Sequence, residues 1–190
     1  MSETCIGFAL CGSFCTFKKA ISQMKNLVEK GYDILPVMSY NASSTDTRFG
    51  KAKDFVKEIE EISGKKIVDS ITSAEPIGPK KMCDLLVVCP CTGNTLAKLA
   101  CGITDTPVTM AVKSHLRIGR PVLLCIATND ALSSSAQNIG KLLNTRNIYF
   151  VPMSQDDPLD KPNSLVAHFD LLEDCMQKAL KYKQLQPIFR

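Results

Sequence analysis

The segment Asp84-Leu-Leu-Val-Val-Cys-Pro90 is apolar at every position from Leu85 to Cys89. A parallel strand that is covered by helices on both faces is apolar throughout, whereas a half-exposed strand alternates. The segment therefore predicts a central strand of a parallel sheet. We expect this strand to end at Pro90, because proline cannot donate a hydrogen bond to a neighbouring strand.

Strand-like and helical segments alternate on both sides of this run. Apolar runs predict strands over residues 4–10, 33–38, 66–69, 84–89, 121–127 and 148–151. Apolar residues spaced by three and four predict helices over residues 15–30, 51–63, 95–101, 106–116 and 131–144. A closing helix is expected after an N-cap at Ser164, with polar loops over residues 39–50 and 155–163. This order predicts a single α/β domain over residues 1–190, a doubly wound, flavodoxin-like or Rossmann-like parallel sheet of five to six strands with helices on both faces.

The composition excludes several classes of function. The chain has only two histidines, His115 and His168, so it cannot build a histidine-rich site, and we expect no metal. Its nine cysteines are an odd number among mostly apolar neighbours, which favours reduced thiols and a cytoplasmic location. The net charge of +4 is spread over several helices, which argues against a nucleic-acid partner. The N-terminal segment has neither a secretion signal nor a membrane span, so no membrane partner is expected.

Two turns at the ends of predicted strands carry candidate phosphate ligands. Gly12, Ser13 and Phe14 follow the first strand, where backbone amides and a helix N-terminus can hold an anion. Ser39 ends the second strand, and its hydroxyl can complete the same site in a doubly wound sheet. The first turn also suits an ordinary strand-to-helix connection with an N-cap serine, and the turn alone does not decide between the two interpretations.

The segment after the central strand carries the candidate chemistry. Thr92, Gly93, Asn94 and Thr95 follow Pro90 and Cys91 at the predicted carboxyl edge of the sheet. Asn94 offers both a donor and an acceptor, which the carbonyl and imide edge of a flavin or a substrate carboxylate requires. We therefore select Asn94 as the candidate catalytic residue.

Residues 90–105, Pro-Cys-Thr-Gly-Asn-Thr-Leu-Ala-Lys-Leu-Ala-Cys-Gly-Ile-Thr-Asp, resemble a characteristic segment of the flavoprotein family. That segment is Pro-Ala-Ser-Ala-Asn-Thr with a following Leu-Ala-Lys and Gly-Ile-Ala-Asp. The family includes FMN-dependent cysteine decarboxylases and flavin prenyltransferases. The resemblance implies an FMN cofactor whose contacts include Gly12, Ser13, Phe14, Ser39, Pro90, Cys91, Thr92, Gly93, Asn94 and Thr95.

Further segments resemble one branch of this family, over residues 113–117, 120–132, 137–144, 147–157, 161–167 and 183–187. Members of this branch work in sporulating bacteria with a dehydrogenase-like partner subunit. The resemblance implies that the pair oxidises a dihydrodipicolinate-type intermediate to pyridine-2,6-dicarboxylate in the cytoplasm of the mother cell. It also allows an NAD(P) site on the partner. A homo-oligomer is expected, since flavoprotein relatives form trimers and dodecamers.

The chain departs from the decarboxylases at two places. It has no histidine before His115, and it has no tryptophan. Residues 127–132 are Ala-Thr-Asn-Asp-Ala-Leu where the decarboxylases have a Pro-x-Met-Asn-x-x-Met-Trp clamp. These absences argue against cysteine decarboxylation. Two alternatives remain open: a non-catalytic scaffold subunit with a remnant phosphate site, and a stand-alone FMN-dependent enzyme of the decarboxylase or prenyltransferase type.

A group of basic side chains is a candidate site for the dicarboxylate. Lys113 and Arg117 are four residues apart and share a helix face, so both can pair with carboxylates. Lys98 and His115 are weaker candidates for the same contact. A solvated basic helix face explains the same pattern and is the alternative interpretation.

Overall fold

The computed structural model describes residues 4–190. Its strands are β1 Cys5–Leu10, β2 Asp33–Met38, β3 Leu85–Cys91, β4 Val122–Thr128, β5 Ile148–Phe150, β6 Met153–Ser154 and β7 Leu165–Ala167. Its α-helices are α1 Phe17–Glu29, α2 Tyr40–Ser44, α3 Ala52–Ser63, α4 Ile71–Ala74, α5 Gly93–Cys101, α6 Pro107–Arg117, α7 Ala136–Leu143 and α8 Leu172–Ala179. Three short 3₁₀ helices cover Phe14–Thr16, Glu75–Ile77 and Phe169–Leu171. The prediction of no secretion signal falls partly on residues 1–3, which lie outside the described residues.

Five of the strands form the parallel part of the sheet, in the order β2-β1-β3-β4-β5. The chain moves from β1 outward to β2 and then returns to place β3 on the other side of β1. In open α/β sheets of this order, ligands bind at the point of reversal, outside the carboxyl ends of the strands. The predicted doubly wound α/β fold is confirmed, and in this chain the point of reversal lies beyond the carboxyl ends of β1 and β3.

Helices cover both faces of the sheet and form two apolar layers. On one face Phe17 of α1, Ile59 of α3 and Met176 of α8 are fully buried. On the other face Leu96 of α5 and Val112 of α6 are equally buried. Because β3 and β4 contribute side chains to both layers, their apolar runs lack the alternation of a half-exposed strand.

The central strand runs one residue beyond Pro90, so the prediction that it ends there is wrong. β3 continues to Cys91, and its register with β4 shifts between Val88 and Cys91. Proline is tolerated inside a sheet where the ladder is irregular, because no regular hydrogen bond is lost there. The shift allows the strand to carry Thr92 to the edge of the sheet.

The closing part of the chain differs most from the prediction. Ser164 does not cap a helix, because Leu165–Ala167 forms β7, and α8 begins only at Leu172. β7 pairs antiparallel with β4 at Thr128 and with β6, so β5 is not the last strand. The mostly parallel sheet therefore has seven strands rather than five to six.

Three other boundaries differ from the prediction. The predicted loop over residues 39–50 contains α2, and the predicted strand over 66–69 makes only a single bridge, between Val37 and Val68. α7 begins at Ala136 rather than 131, because Ser133 and Ser135 turn back to the carbonyl of Asp130. Within residues 4–190, no helix has the length and apolar character that a membrane crossing requires.

Candidate functional site

A crevice of about 530 Å³ opens where β1 and β3 end. It adjoins a cavity of about 440 Å³ that shares Gly12, Thr92 and Asn94 with it. We call these two spaces together the switch-point crevice. A volume of several hundred Å³ is typical of a site for a small molecule or cofactor. The predicted residues that line it are Gly12, Ser13, Phe14, Ser39, Thr92, Gly93, Asn94 and Thr95.

The first turn of α5 supplies unpaired donors to this crevice. Thr92 caps the helix, since its side chain accepts a hydrogen bond from the amide of Thr95 at 3.3 Å. The amides of Gly93 and Asn94 precede the first intrahelical bond, and neither has an acceptor within residues 4–190. The Asn94 side chain also has no protein partner in that part of the chain. Unpaired donors at a helix N-terminus favour an anionic or carbonyl-bearing ligand.

The turn after β1 and the end of β2 form the opposite wall. Ser39 is almost fully buried, and its Oγ accepts a hydrogen bond from the amide of Ala42 at 3.3 Å. Its hydroxyl hydrogen is left to donate to a ligand. A Cβ added at Gly12 would lie 3.4 Å from the ring of Phe14 and 3.7 Å from Cβ of Asn41. These are ordinary contact distances, so the fold itself does not require glycine at this position.

A carboxylate forms the third wall. Asp130 follows β4 and accepts hydrogen bonds from Thr128 at 2.6 Å, Ser134 at 2.7 Å and Ser135 at 3.0 Å. These hydrogen bonds lower the pKa of the Asp130 carboxyl, and the bond from Thr128 has the largest effect. A Cβ at Gly93 would approach both Thr128 Oγ1 and Asp130 Oδ1 to 2.6 Å. The start of α5 can therefore approach β4 closely only because residue 93 is glycine.

Two cysteines lie beneath the crevice rather than in it. Cys11 and Cys91 are buried, and neither lines the open space. Burial raises the pKa of Cys11 to about 11 and that of Cys91 well above its usual value. Thr95 Oγ1 donates to Cys11 Sγ at 3.2 Å. Both thiols are thus held neutral, in a packing role below the ligand space.

The structure brings most of the predicted site residues together and separates a few. Pro90 lies in the buried β3 and, like Cys91, does not line the crevice. Lys113 lines a different, apolar cavity between α5, α6 and α7, and Arg117 lines neither part of the crevice. Lys98 reaches the crevice but is paired with Asp105 at 2.8 Å. The proposed dicarboxylate contacts of Lys113 and Arg117 therefore do not belong to this crevice.

His115 is also remote from the crevice. It is fully buried in the last turn of α6, with its Nδ1 3.7 Å from Cys83 Sγ. Burial, aided by the nearby Arg120, lowers its pKa to about 4. Its Nε2 has no hydrogen-bond partner within the described residues. The residue is a neutral core group and supplies no base to the crevice.

Several residues that line the crevice were not predicted from the sequence. Thr128 is the last residue of β4, and Asn129 and Asp130 directly follow it, so their place at a strand's carboxyl end was the signal that could have found them. Arg48 and Phe49 come from the loop after α2, with the guanidinium 4.9 Å from the ring centre. Nothing in the local sequence marks that pair. Among the described residues, no group of three or more His, Cys, Asp or Glu side chains could hold a metal ion.

The chain matches one known protein family over nearly its whole length. A family model described as Flavoprotein matches residues 1–186. The chain belongs to the Flavoprotein family. The resemblance seen in residues 90–105 is thereby confirmed over nearly the whole chain.

Individual Flavoprotein relatives narrow the comparison. The B component of dipicolinate synthase from Bacillus subtilis (strain 168) is 49% identical over 183 residues, which cover 96% of this chain and 92% of the relative. The crystal structure of the same component from Bacillus halodurans C is 43% identical, with a TM-score of 0.90, covering 98% of this chain and 96% of that one. The FMN-dependent cysteine decarboxylase SpaF is 22% identical, with a TM-score of 0.68 over 95% of this chain and 97% of that one, and shares the fold.

Proposed function

We propose that this chain is the flavin-binding component of a dipicolinate synthase. In this proposal it binds FMN in the switch-point crevice and acts with a dehydrogenase-like partner, the A component of the synthase. The complex would oxidise a dihydrodipicolinate-type intermediate to pyridine-2,6-dicarboxylate during sporulation. The observation that carries the proposal is the crevice itself, in a chain 49% identical to the B component of a dipicolinate synthase.

The residues of the crevice suit each part of FMN. A phosphate needs several donors close to open backbone, and the amide of Gly12, which has no acceptor within the described residues, could provide them together with the hydroxyls of Ser13 and Ser39. The flavin ring needs both donors and acceptors along its carbonyl and imide edge. The amide of Gly93 and the side chain of Asn94 meet that need, and both have no protein partner within the described residues.

This arrangement suggests separate roles for the cofactor and for the protein side chains. When bound, FMN would supply two-electron hydride chemistry. Asn94 would orient the ring edge, and the first-turn dipole of α5 would favour negative charge there. Asp130, kept anionic by three hydroxyl donors, would hold the opposite wall in place. The neutral thiols of Cys11 and Cys91 would take no part in the redox step.

The proposal is tested by adding the A component, dihydrodipicolinate and NAD(P)+ as the two-electron acceptor to the FMN-loaded protein and following pyridine-2,6-dicarboxylate. We expect turnover that requires both components, and we expect Asn94→Ala to lose at least about tenfold in rate while the complex still assembles. Asn138→Ala is the matched control, since Asn138 occupies the early turns of α7 outside the crevice. Gel filtration reports assembly for each variant.

Each other outcome contradicts a stated part of the proposal. Unchanged turnover by Asn94→Ala in an intact complex would favour the scaffold role, with all hydride chemistry at an NAD(P) site on the A component. Turnover by this chain without its partner would favour a stand-alone flavin enzyme. Failure to retain FMN, together with no synthase activity, would refute the main proposal.

A further inference from the structure

A cavity of about 600 Å³ borders the switch-point crevice. It lies between α1 and the β6–β7 hairpin, and Val166 of β7 lines both spaces. Lys18 and Lys19 of α1 form one wall, and Ser154 and His168 form the other. We call this space the lysine cavity. A small molecule held there would lie one side chain away from the crevice proposed for FMN.

The lysine cavity has one more free positive charge than free negative charge. Neither Lys18 nor Lys19 has an ion-pair partner within residues 4–190. Asp156 also lines the cavity, but Lys161 pairs with it at 3.2 Å, so its charge is already neutralised. Asp170, at an exposed position, is the remaining carboxylate of the lining. Two free ammonium groups against one free carboxylate leave a cavity suited to an anion.

The opposite wall holds a hydroxyl and an imidazole that are hydrogen-bonded to each other. Ser154 Oγ and His168 Nε2 are 3.1 Å apart, and the backbone N–H of His168 donates to the carbonyl of Pro152 at 2.8 Å. A neutral imidazole carries one proton. If that proton is on Nε2 and is donated to Ser154, the serine hydroxyl is free to donate to a ligand. If Ser154 donates instead, the proton is on Nδ1 of His168.

We propose that the lysine cavity binds the dicarboxylate of the reaction. This inference rests on the proposed function, which supplies the class of ligand. Lys18 and Lys19 would pair with carboxylate oxygens, and the Ser154–His168 pair would add a hydrogen bond. Because Val166 lines both spaces, the ligand would lie at the edge of the switch-point crevice. The lysines of α1 thus take the role that the sequence alone had assigned to Lys113 and Arg117.

The test is a calorimetric titration of the FMN-loaded protein with pyridine-2,6-dicarboxylate, which is stable and needs no turnover. We expect saturable binding, and at least about tenfold weaker binding by the double variant Lys18→Gln/Lys19→Gln, since it removes both ammonium groups that would pair with the carboxylates. The matched control Lys113→Gln/Arg117→Gln removes two charges outside both cavities that carry the proposal. It should bind within about twofold of the unchanged protein. Pyridine-2-carboxylate, with one carboxylate, should bind more weakly.

Three outcomes would overturn the inference: no binding of the dicarboxylate, equal affinity in the Lys18→Gln/Lys19→Gln variant, or equal competition by inorganic phosphate, which would indicate a general anion site. FMN absorbance and turnover with the A component are measured on the same samples. If these persist while the titration fails, only the lysine cavity is wrongly assigned. If FMN is not retained, the proposed function itself fails.

Discussion

Replacing Gly93 with alanine should disrupt the wall of the crevice, because the added methyl group would overlap neighbouring side chains. Gly93 is the first residue of α5 and lies against the Asp130 cluster. The added Cβ would come within 2.6 Å of both Thr128 Oγ1 and Asp130 Oδ1, and within 2.9 Å of Ser135 Oγ. Real Cβ atoms do not approach other atoms so closely, so these side chains must move.

The cost can be worked from the bonds that would be disturbed. Thr128 and Ser135 donate to Asp130 at 2.6 Å and 3.0 Å, and the methyl group displaces both donors. A hydrogen bond to a charged group contributes about 1.5–3 kcal/mol, and the lower end applies to a half-buried carboxylate. Loss of both bonds should destabilise the fold by about 2–4 kcal/mol, which lowers the Tm of a chain of this size by about 5–15 °C. Displacement of the crevice wall should also weaken FMN binding at least about tenfold.

Thermal unfolding and FMN titration of Gly93→Ala measure both effects. Gly140→Ala is the matched control, because Gly140 is also helical and its added Cβ would meet no atom within 4 Å. That variant should be more stable by about 0.5–1 kcal/mol, since alanine is favoured over glycine in a helix. If Gly93→Ala unfolds at the unchanged temperature and binds FMN normally, the close contact between α5 and β4 is not part of the site.

Three further predictions concern other parts of the molecule. His115 is neutral in the fold because its pKa is lowered to about 4, whereas in the unfolded chain it is about 6.5. The unfolded state therefore binds the proton first as the pH falls, and the free energy of unfolding decreases below about pH 6.5. Denaturant unfolding should show a decrease between about pH 7 and about pH 4.5 that is about 2 kcal/mol larger than in His115→Leu. Thr92→Ala removes the N-cap of α5, so it should lower the free energy of unfolding by about 1 kcal/mol and weaken FMN binding. The control Ser70→Ala removes the N-cap of α4 and should leave FMN binding unchanged in the same titration. Lys113→Ala and Arg117→Ala, at the positions predicted as dicarboxylate ligands, should leave the affinity for FMN unchanged by fluorescence titration, and a loss would contradict their place outside the crevice.

The parallel core was predictable because its signals are local. The apolar run of β3 is buried on both faces, and that environment appears directly in its residues. The same holds for Gly12, Ser39 and Asn94, since turns that follow strands of a parallel sheet share one edge. Sequence patterns therefore located both walls of the crevice that β1, β2 and β3 supply.

The remaining features depend on contacts that are distant in sequence. Leu165–Ala167 becomes a strand because β4 and β6 lie on either side of it, and a run of three residues cannot indicate this by itself. Arg48 reaches the crevice through the folding of a loop, without a local signal. Choosing between Lys18 and Lys113 as carboxylate ligands likewise requires knowing which helix borders the crevice. Charge patterns show that a helix face is basic but not what it faces.

The most direct test of the central claim compares FMN with riboflavin in a fluorescence titration of the flavin-free protein. If the turn at Gly12 and Ser13 with the hydroxyl of Ser39 holds the phosphate, one FMN should bind per chain and riboflavin should bind at least about tenfold more weakly. Ser39→Ala should reduce that preference, because it removes a phosphate donor. Equal binding of the two flavins, or no binding of FMN, would contradict the assignment of the switch-point crevice as the flavin site.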